Sequence, residues 1–310
     1  MKAMYLERKS GAESLIDGDI PRPTPKPDEV LVKVHATAVM PTELQWFPTF
    51  NLKSGKPREF PIVLSHEFSG RVESVGENVR NVNVDEEVYG LNDWFENGEQ
   101  AEYCVAPQRA LARKPKSLGH DHAAVVPISA LTAWQGLFSR ANLQKTQRVL
   151  IHGGAGGVGS FAVQLARWRG AHVVATASST NLDFVRMLGA DEVIDYRTTR
   201  FEDVVCDQDV VFDSVGGETL ERSWHVLKPK GKLVTVATQS ERTDEQRVRD
   251  AFMLVQADGA QLAEIASLID TGKLRVFVAD VFPFFKAREA YARTHQGNLR
   301  GKVALSVVAE

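Results

Sequence analysis

The sequence is poor in cysteine: two in 310 residues, Cys104 and Cys206, far apart. A structural zinc lobe takes three or four closely spaced ligands, so these two thiols do not build one. Reduced structural cysteines are the ordinary reading in a cytosolic chain. No apolar run approaches the roughly 20 residues that cross a bilayer. The first residues, MKAMYLERKSG, are too short and too charged for the core of a signal peptide. A cytoplasmic protein without a membrane partner is therefore expected. There is no basic block either. Lys and Arg number 37 against 40 Asp and Glu, a net charge of −3, which gives no footprint for nucleic acid. Internal repeats and low-complexity tracts are absent.

What is present is length and order. At roughly 100–200 residues per domain, the chain holds about two domains. Its first third is β-rich. Pro21, Pro23, Pro25 and Pro27 keep PRPTPKPDE extended. Strand resumes in EVLVKVHA, with Val30, Val32 and Val34 on one face. Short strands at this spacing suggest a small barrel or sandwich. From about residue 120, strands alternate with helices. RVLIH, HVVATAS, EVIDY, DVVFDSVGG and GKLVTVAT are the strands, and GVGSFAVQLARWRG and NLDFVRMLGA are two of the helices. This alternation predicts an α/β fold with a parallel, doubly wound sheet. AFMLVQA reads as one more strand. A helix over GAQLAEIASLIDTG and strands in LRVFVADV and GKVALSVVA follow. The expected division is residues 1–120, 121–255 and 256–310, the last segment returning to complete the first domain.

In VLIHGGAGGVGSFAVQLA, Gly154, Gly156 and Gly159 fit G-x-G-x-x-G directly after a predicted strand and at the start of a predicted helix. In that setting Gly154 serves the tight turn. Gly156 lets the backbone approach a pyrophosphate, and Gly159 lets the helix pack on the strand. The helix N-terminus offers free N–H groups and partial positive charge to phosphates. A glycine turn without a ligand is the plain alternative.

Sites that prefer NAD usually place an acid at the end of the second strand, for the ribose 2′-hydroxyl. Here that region, VVATASSTN (173–181), holds none. Ser178, Ser179, Thr180 and Asn181 offer hydrogen-bond donors instead, so NADP(H) is the expected cofactor. No Arg or Lys lies in the loop. Arg197, after the third strand, is the candidate cation.

Seven motifs run through the chain in order: PRPTPKPDEVLVKVHA (21–36), HEFSGRVESVG (66–76), ISALTAWQGL (128–137), GGAGGVG (153–159), LGADEVIDY (188–196), FDSVGG (212–217) and GNLRGKVAL (297–305). Together they resemble the medium-chain dehydrogenase/reductase superfamily, most of all its zinc-free quinone oxidoreductase and enone reductase branch. The resemblance implies a GroES-like β-rich catalytic domain joined to a Rossmann dinucleotide domain, and a homodimer formed through the latter. It implies that Thr132 meets the nicotinamide carboxamide. Gly156, Gly157 and Val158 would meet the pyrophosphate, and Ser178 and Tyr196 the 2′-phosphate. Val215 and Val236 would flank ribose and nicotinamide. Thr132, Tyr196, Val215 and Val236 also have plain readings as helix, strand-end and sheet-core residues.

His66 and Glu67, side by side in VLSHEFSGRV (63–72), raise the question of half a zinc site. By resemblance, the early cysteine ligand of zinc-dependent relatives falls at Met40, in ATAVMPTELQW. The late ligand falls near Ile128, in VPISALTAW. A catalytic zinc takes about three protein ligands. Methionine is a poor substitute and isoleucine has no donor, so no metal is expected and Lewis-acid activation of an alcohol goes with it. His66 is then either an inherited hydrogen-bonded partner of Glu67 or a residue that orients or protonates a substrate oxygen. The zinc-free branch often carries Asn-Pro-x-Asp where this chain has Met40-Pro41-Thr42-Glu43. Met40 gives an apolar, adaptable wall instead.

Hydride delivery without a metal suits quinones, enones and enals, for which proximity and orientation supply much of the acceleration. Candidate proton donors are Tyr5, Glu43 and His66. Trp46 and Trp94, in TELQWFPTFN and LNDWFENGE, are the candidates for an apolar substrate pocket. The leading reading is an NADPH-dependent, zinc-independent oxidoreductase acting on a quinone. The alternative is an NADPH-dependent reductase of α,β-unsaturated ketones or aldehydes. A third reading, a non-catalytic NADPH-binding or RNA-binding protein, runs against the charge balance.

Overall fold

The computed structural model describes residues 1–297 and 299–308. Asn298, in the GNLRGKVAL motif, lies outside the described residues. The chain divides into two units, Met1–Ile128 with Gln256–Gly297 and Lys302–Glu310, and Ser129–Val255 with Asn298–Gly301.

The first unit opens with β1 (Lys2–Leu6), β2 (Ile16–Asp19), β3 (Glu29–Val39) and a short helix α1 (Phe47–Phe50). It continues through β4 (Ile62–Val63), β5 (Glu67–Val75), β6 (Glu87–Leu91), β7 (Tyr103–Pro107), β8 (Leu111–Arg113) and α2 (His120–Ala124). The long strand β3 organises the unit. It pairs antiparallel with β5 along most of its length and with β7 at its start. Val30, Val32 and Val34 are fully buried, as their period-two spacing requires, and pack with Phe68, Val72, Val88 and Cys104. Burying side chains of this size is worth about 1.5–3 kcal/mol each. Cys104 is thus a core residue, and burial pushes its thiol pKa up.

Helix α3 (Pro127–Trp134) leads into the second unit. There follow β9 (Arg148–His152), α4 (Gly157–Arg169), β10 (His172–Ala177), α5 (Leu182–Met187), β11 (Glu192–Asp195), β12 (Gln208–Asp213), α6 (Gly217–Ser223), β13 (Leu227–Thr235) and α7 (Gln246–Ala251). The five strands form one parallel sheet in the order β11-β10-β9-β12-β13. This is the doubly wound arrangement that the sequence predicts. AFMLVQA differs from expectation. It is no strand but the end of α7 and a segment with a single bridge, Thr235 to Phe252.

The chain then returns to the first unit through α8 (Gly259–Asp270), β14 (Val278–Pro283), α9 (Ala287–His295) and β15 (Lys302–Ser306). Strand β15 pairs antiparallel with the end of β3, and β14 lies parallel beside it. The return therefore completes the sheet that β3 began.

Candidate active site

Strand β9 ends at His152, whose imidazole is buried between Thr176 Oγ1 (3.2 Å) and Ser223 Oγ (3.0 Å). Burial, and the Arg222 charge, hold its pKa down near 3, so it is a neutral support. The chain turns at Gly153, which takes φ +76°. The left-handed residue is thus Gly153, one before the expected Gly154. Gly154 is tight for a different reason: a Cβ there would stand 3.1 Å from Val185 Cγ1 and 3.2 Å from Ala175 Cβ. At Gly159 a Cβ would sit 2.1 Å from the Gly153 carbonyl oxygen, so only glycine lets α4 pack this closely. Gly156 is the N-cap of α4 and has no side chain to cap it. A Cβ there would meet nothing nearer than 3.5 Å. The space beside it is open, and the first amides of the helix lack intrahelical acceptors. These features fit a dinucleotide pyrophosphate.

The other residues expected at a cofactor follow the same strands. Ser178 and Ser179 come after β10, Tyr196 after β11, Val215 after β12 and Val236 after β13. All stand at the carboxyl ends of parallel strands, with Gly157 and Val158 opening α4. Ligands of open α/β sheets bind at that edge. Thr132 belongs to α3 and is buried. Val215 is exposed and presented by a turn that Asp213 shapes. Its carboxylate accepts from the amides of Val215 (3.0 Å) and Gly216 (3.1 Å) and from Thr235 Oγ1 (2.8 Å). Sequence reading missed Asp213, whose signal was an acid closing an apolar strand.

It also missed Asp195. Residues 173–181 hold no acid along the chain, but parallel pairing sets Asp195 opposite Ala177. Ser179 Oγ donates to Asp195 Oδ2, and the Arg197 amide donates to Oδ1 at 3.0 Å. The Ser179 hydroxyl and then the Arg197 amide hold the Asp195 pKa below the usual carboxylate range. The loop is therefore acid-free in sequence but not in space.

In the first unit, a short turn at Pro41–Gln45 carries Glu43 inward from Met40. Glu43 is fully buried and accepts from the Ser65 amide with both oxygens, at 2.8 and 3.0 Å. Ser65 takes φ +66°, and His66 follows it. His66 Nδ1 lies 2.8 Å from Glu43 Oε1, an ion-pair contact rather than an aligned hydrogen bond. Nε2 lies 3.2 Å from the Glu96 carbonyl. Burial lowers the His66 pKa, but the Glu43 and Glu99 carboxylates and the Glu96 carbonyl outweigh it, and the net direction is up. The imidazole packs against Trp94 with ring centres 5.0 Å apart, and Trp94 against Trp46 at 4.7 Å, both pairs tilted, at 44° and 56°. Glu43, His66, Trp46 and Trp94 are thus brought together. Tyr5 is not part of this contact chain: it packs against Ala3, Val63 and Ala101.

His66 and Glu67 are not partners. Alternation along the chain sends them to different neighbours. Glu67 accepts from Lys302 Nζ and from the Ile128 amide at 2.8 Å. Glu99, unremarked in sequence, is fully buried, and one oxygen accepts from Asn92 at 2.9 Å. Burial pushes its carboxyl up to about 8.

Residues 26–116 match the family model for the alcohol dehydrogenase GroES-like domain, and residues 188–305 match the one described as zinc-binding dehydrogenase. The chain is 33% identical over 328 residues to the NAD(P)H oxidoreductase RTN4IP1, mitochondrial, of Danio rerio, covering 92% of this chain and 85% of the relative. It is 32% identical over 304 residues to the 2-methylene-furan-3-one reductase of Solanum lycopersicum, covering 94% and 74%. The solved quinone oxidoreductase of Coxiella burnetii matches with a TM-score of 0.90 and 31% identity, over 99% of each chain. The chain belongs to the medium-chain dehydrogenase/reductase superfamily of oxidoreductases.

The name of the second family model implies zinc, and this superfamily member does not have the residues to hold it. A histidine ligand offers a lone pair from one ring nitrogen. Both nitrogens of His66 face acceptors, a carboxylate and a carbonyl, which favours the doubly protonated cation. Met40 is buried and supplies only a thioether. Ile128 supplies an amide that Glu67 already binds. Among the described residues, no group of three His, Cys, Asp or Glu side chains is arranged to hold a metal.

Proposed function

We propose that this protein is an NADPH-dependent, zinc-independent oxidoreductase whose acceptor is a quinone. The observation that carries the reading is the His66–Glu43 pair. It commits the remaining donor of the family's metal site to a buried carboxylate, and so removes Lewis-acid activation from the site. Bound nicotinamide would supply the hydride. The turn at 153–159, with the first amides of α4, binds the pyrophosphate. Ser178, Ser179 and Tyr196 bind the adenosine end. Thr132, Val215 and Val236 hold the nicotinamide and its ribose. Met40, Trp46 and Trp94 form an apolar wall that excludes water from the acceptor. His66, against Trp94 and paired with Glu43, supplies charge and a proton there.

The likeness to a quinone oxidoreductase over nearly the whole chain supports the acceptor class. The likeness to a 2-methylene-furan-3-one reductase supports the second reading, reduction of an α,β-unsaturated carbonyl. Steady-state NADPH oxidation with a small quinone and a matched enone separates the two. A higher kcat/KM for the quinone upholds the first reading, and the reverse order replaces it with the second. No oxidation with either, despite NADPH binding, removes both.

The proposal includes self-association as a homodimer and a cytoplasmic location. Cys104 and Cys206 are both unpaired, which favours a reducing compartment. The name of the Danio rerio relative places that protein in mitochondria. Among the described residues, no helix is long and apolar enough to cross a membrane.

A further inference from the structure

Arg300 reaches the loop that lacks a cation of its own. Its neighbour Gly301 runs beside the glycine turn. The Gly301 amide donates to the Ala155 carbonyl at 3.3 Å, and Gly301 bridges to Gly156. From that anchor, Arg300 Nε donates to Asn181 Oδ1 at 3.0 Å and Nη2 donates to the Thr180 carbonyl at 3.0 Å. The guanidinium lies 5.1 Å from the centre of the Phe184 ring, a cation–π contact. Asn181 Nδ2 donates onward to Ser178 Oγ at 3.2 Å, and Ser178 Oγ lies 3.2 Å from Thr180 Oγ1. One guanidinium is therefore fixed at three points between the pyrophosphate turn and Ser178.

We propose that Arg300 is the residue that selects the 2′-phosphate of NADP(H), working against Asp195. The proposal rests on the dinucleotide reading above and deepens it. Arginine carries five N–H donors in a rigid fork suited to phosphate. The two bonds to the loop use Nε and Nη2 and leave Nη1 outside them. Because the side chain is already held, little conformational freedom is lost when an anion arrives. Through Asn181, the cation also orients the Ser178 hydroxyl. Asp195 acts in the opposite sense. Its carboxylate engages Ser179 and repels a phosphate beside it, while it accepts well from a 2′-hydroxyl. Arg197, the cation expected from sequence, is exposed and lies with its guanidinium 5.9 Å from the Tyr196 ring centre. Its amide and its charge act on Asp195 rather than directly on residues 178–181, so Arg300 takes the role instead.

Calorimetric titration with 2′,5′-ADP and with 5′-AMP isolates the 2′-phosphate from nicotinamide chemistry and from turnover. The wild-type chain should bind 2′,5′-ADP more tightly, with a preference that shrinks as salt rises. Arg300→Gln should cut that preference about ten- to hundred-fold and leave 5′-AMP affinity within about two-fold. Arg197→Gln should change it little. Asp195→Asn should raise it, an arm that does not depend on Arg300→Gln folding. The proposal is overturned if Arg300→Gln keeps the preference. It is also overturned if both ligands weaken equally, since Arg300 would then only support the loop. A wild-type chain with no preference overturns the NADP(H) reading itself. That failure is distinct from a preference that Arg300→Gln leaves intact.

Discussion

His66 Nδ1 lies 2.8 Å from Glu43 Oε1, with both side chains sealed from solvent. The opposite edge of the ring faces the Glu96 carbonyl. An imidazole between two acceptors is stabilised as its cation, and its carboxylate partner is held by the Ser65 amide. Breaking a buried ion pair from one side leaves the other charge uncompensated, at about 3–5 kcal/mol. Glu43→Gln should therefore lower the unfolding free energy by about that much in guanidinium chloride near pH 6. A loss below about 1 kcal/mol would mean that the pair carries little of the local structure.

Glu99 should tilt the pH dependence of stability. Burial raises its carboxyl from an ordinary 4.5 to about 8. Between those values the folded state keeps a proton that the unfolded chain releases. Stability therefore falls as pH rises through that window, by up to about 1.4 kcal/mol per pH unit. Glu99→Gln should flatten the urea midpoint across this range. His66, also raised in the fold, contributes a slope of the same sign, so a smaller fall should persist in the variant. An unchanged slope in Glu99→Gln would show that Glu99 is ionised in the native state.

Lys302 is the counterion of Glu67, bringing the last strand to the start of β5. Lys302→Met should cost about 3–5 kcal/mol at neutral pH. Adding Glu67→Gln should recover more than half of it, because the uncompensated charge is removed. Additive losses in the double variant would deny the coupling.

Two glycines make opposite predictions. A methyl at Gly156 meets nothing nearer than 3.5 Å, and the residue has φ −71°. Gly156→Ala should keep its melting temperature while nucleotide affinity drops by about ten-fold or more, since the methyl occupies the pyrophosphate approach. A methyl at Gly159 meets the Gly153 carbonyl oxygen at 2.1 Å. Gly159→Ala should lower both stability and affinity. Unchanged binding in Gly156→Ala would place the pyrophosphate elsewhere.

The sequence exposes whatever depends on local spacing. Val30, Val32 and Val34 announce β3 by period two, and the glycine turn announces β9 and α4 by context. Ser178, Tyr196, Val215 and Val236 share one sheet edge because each ends a parallel strand. Relationships across the chain are hidden. Asp195 reaches Ser179 only through strand pairing. Glu43 reaches His66 only because the turn at Pro41–Gln45 folds under Ser65. Arg300 meets residues more than a hundred positions earlier. AFMLVQA has strand composition, but only Phe252 finds a bridge, so propensity alone misled.

The most direct test is NADPH oxidation with a small quinone by chelator-treated protein, with metal content measured on the same sample. Zinc-independent hydride transfer requires unchanged turnover and less than a stoichiometric amount of zinc. Turnover lost on chelation and restored by zinc would contradict it, and would make His66 a metal ligand after all.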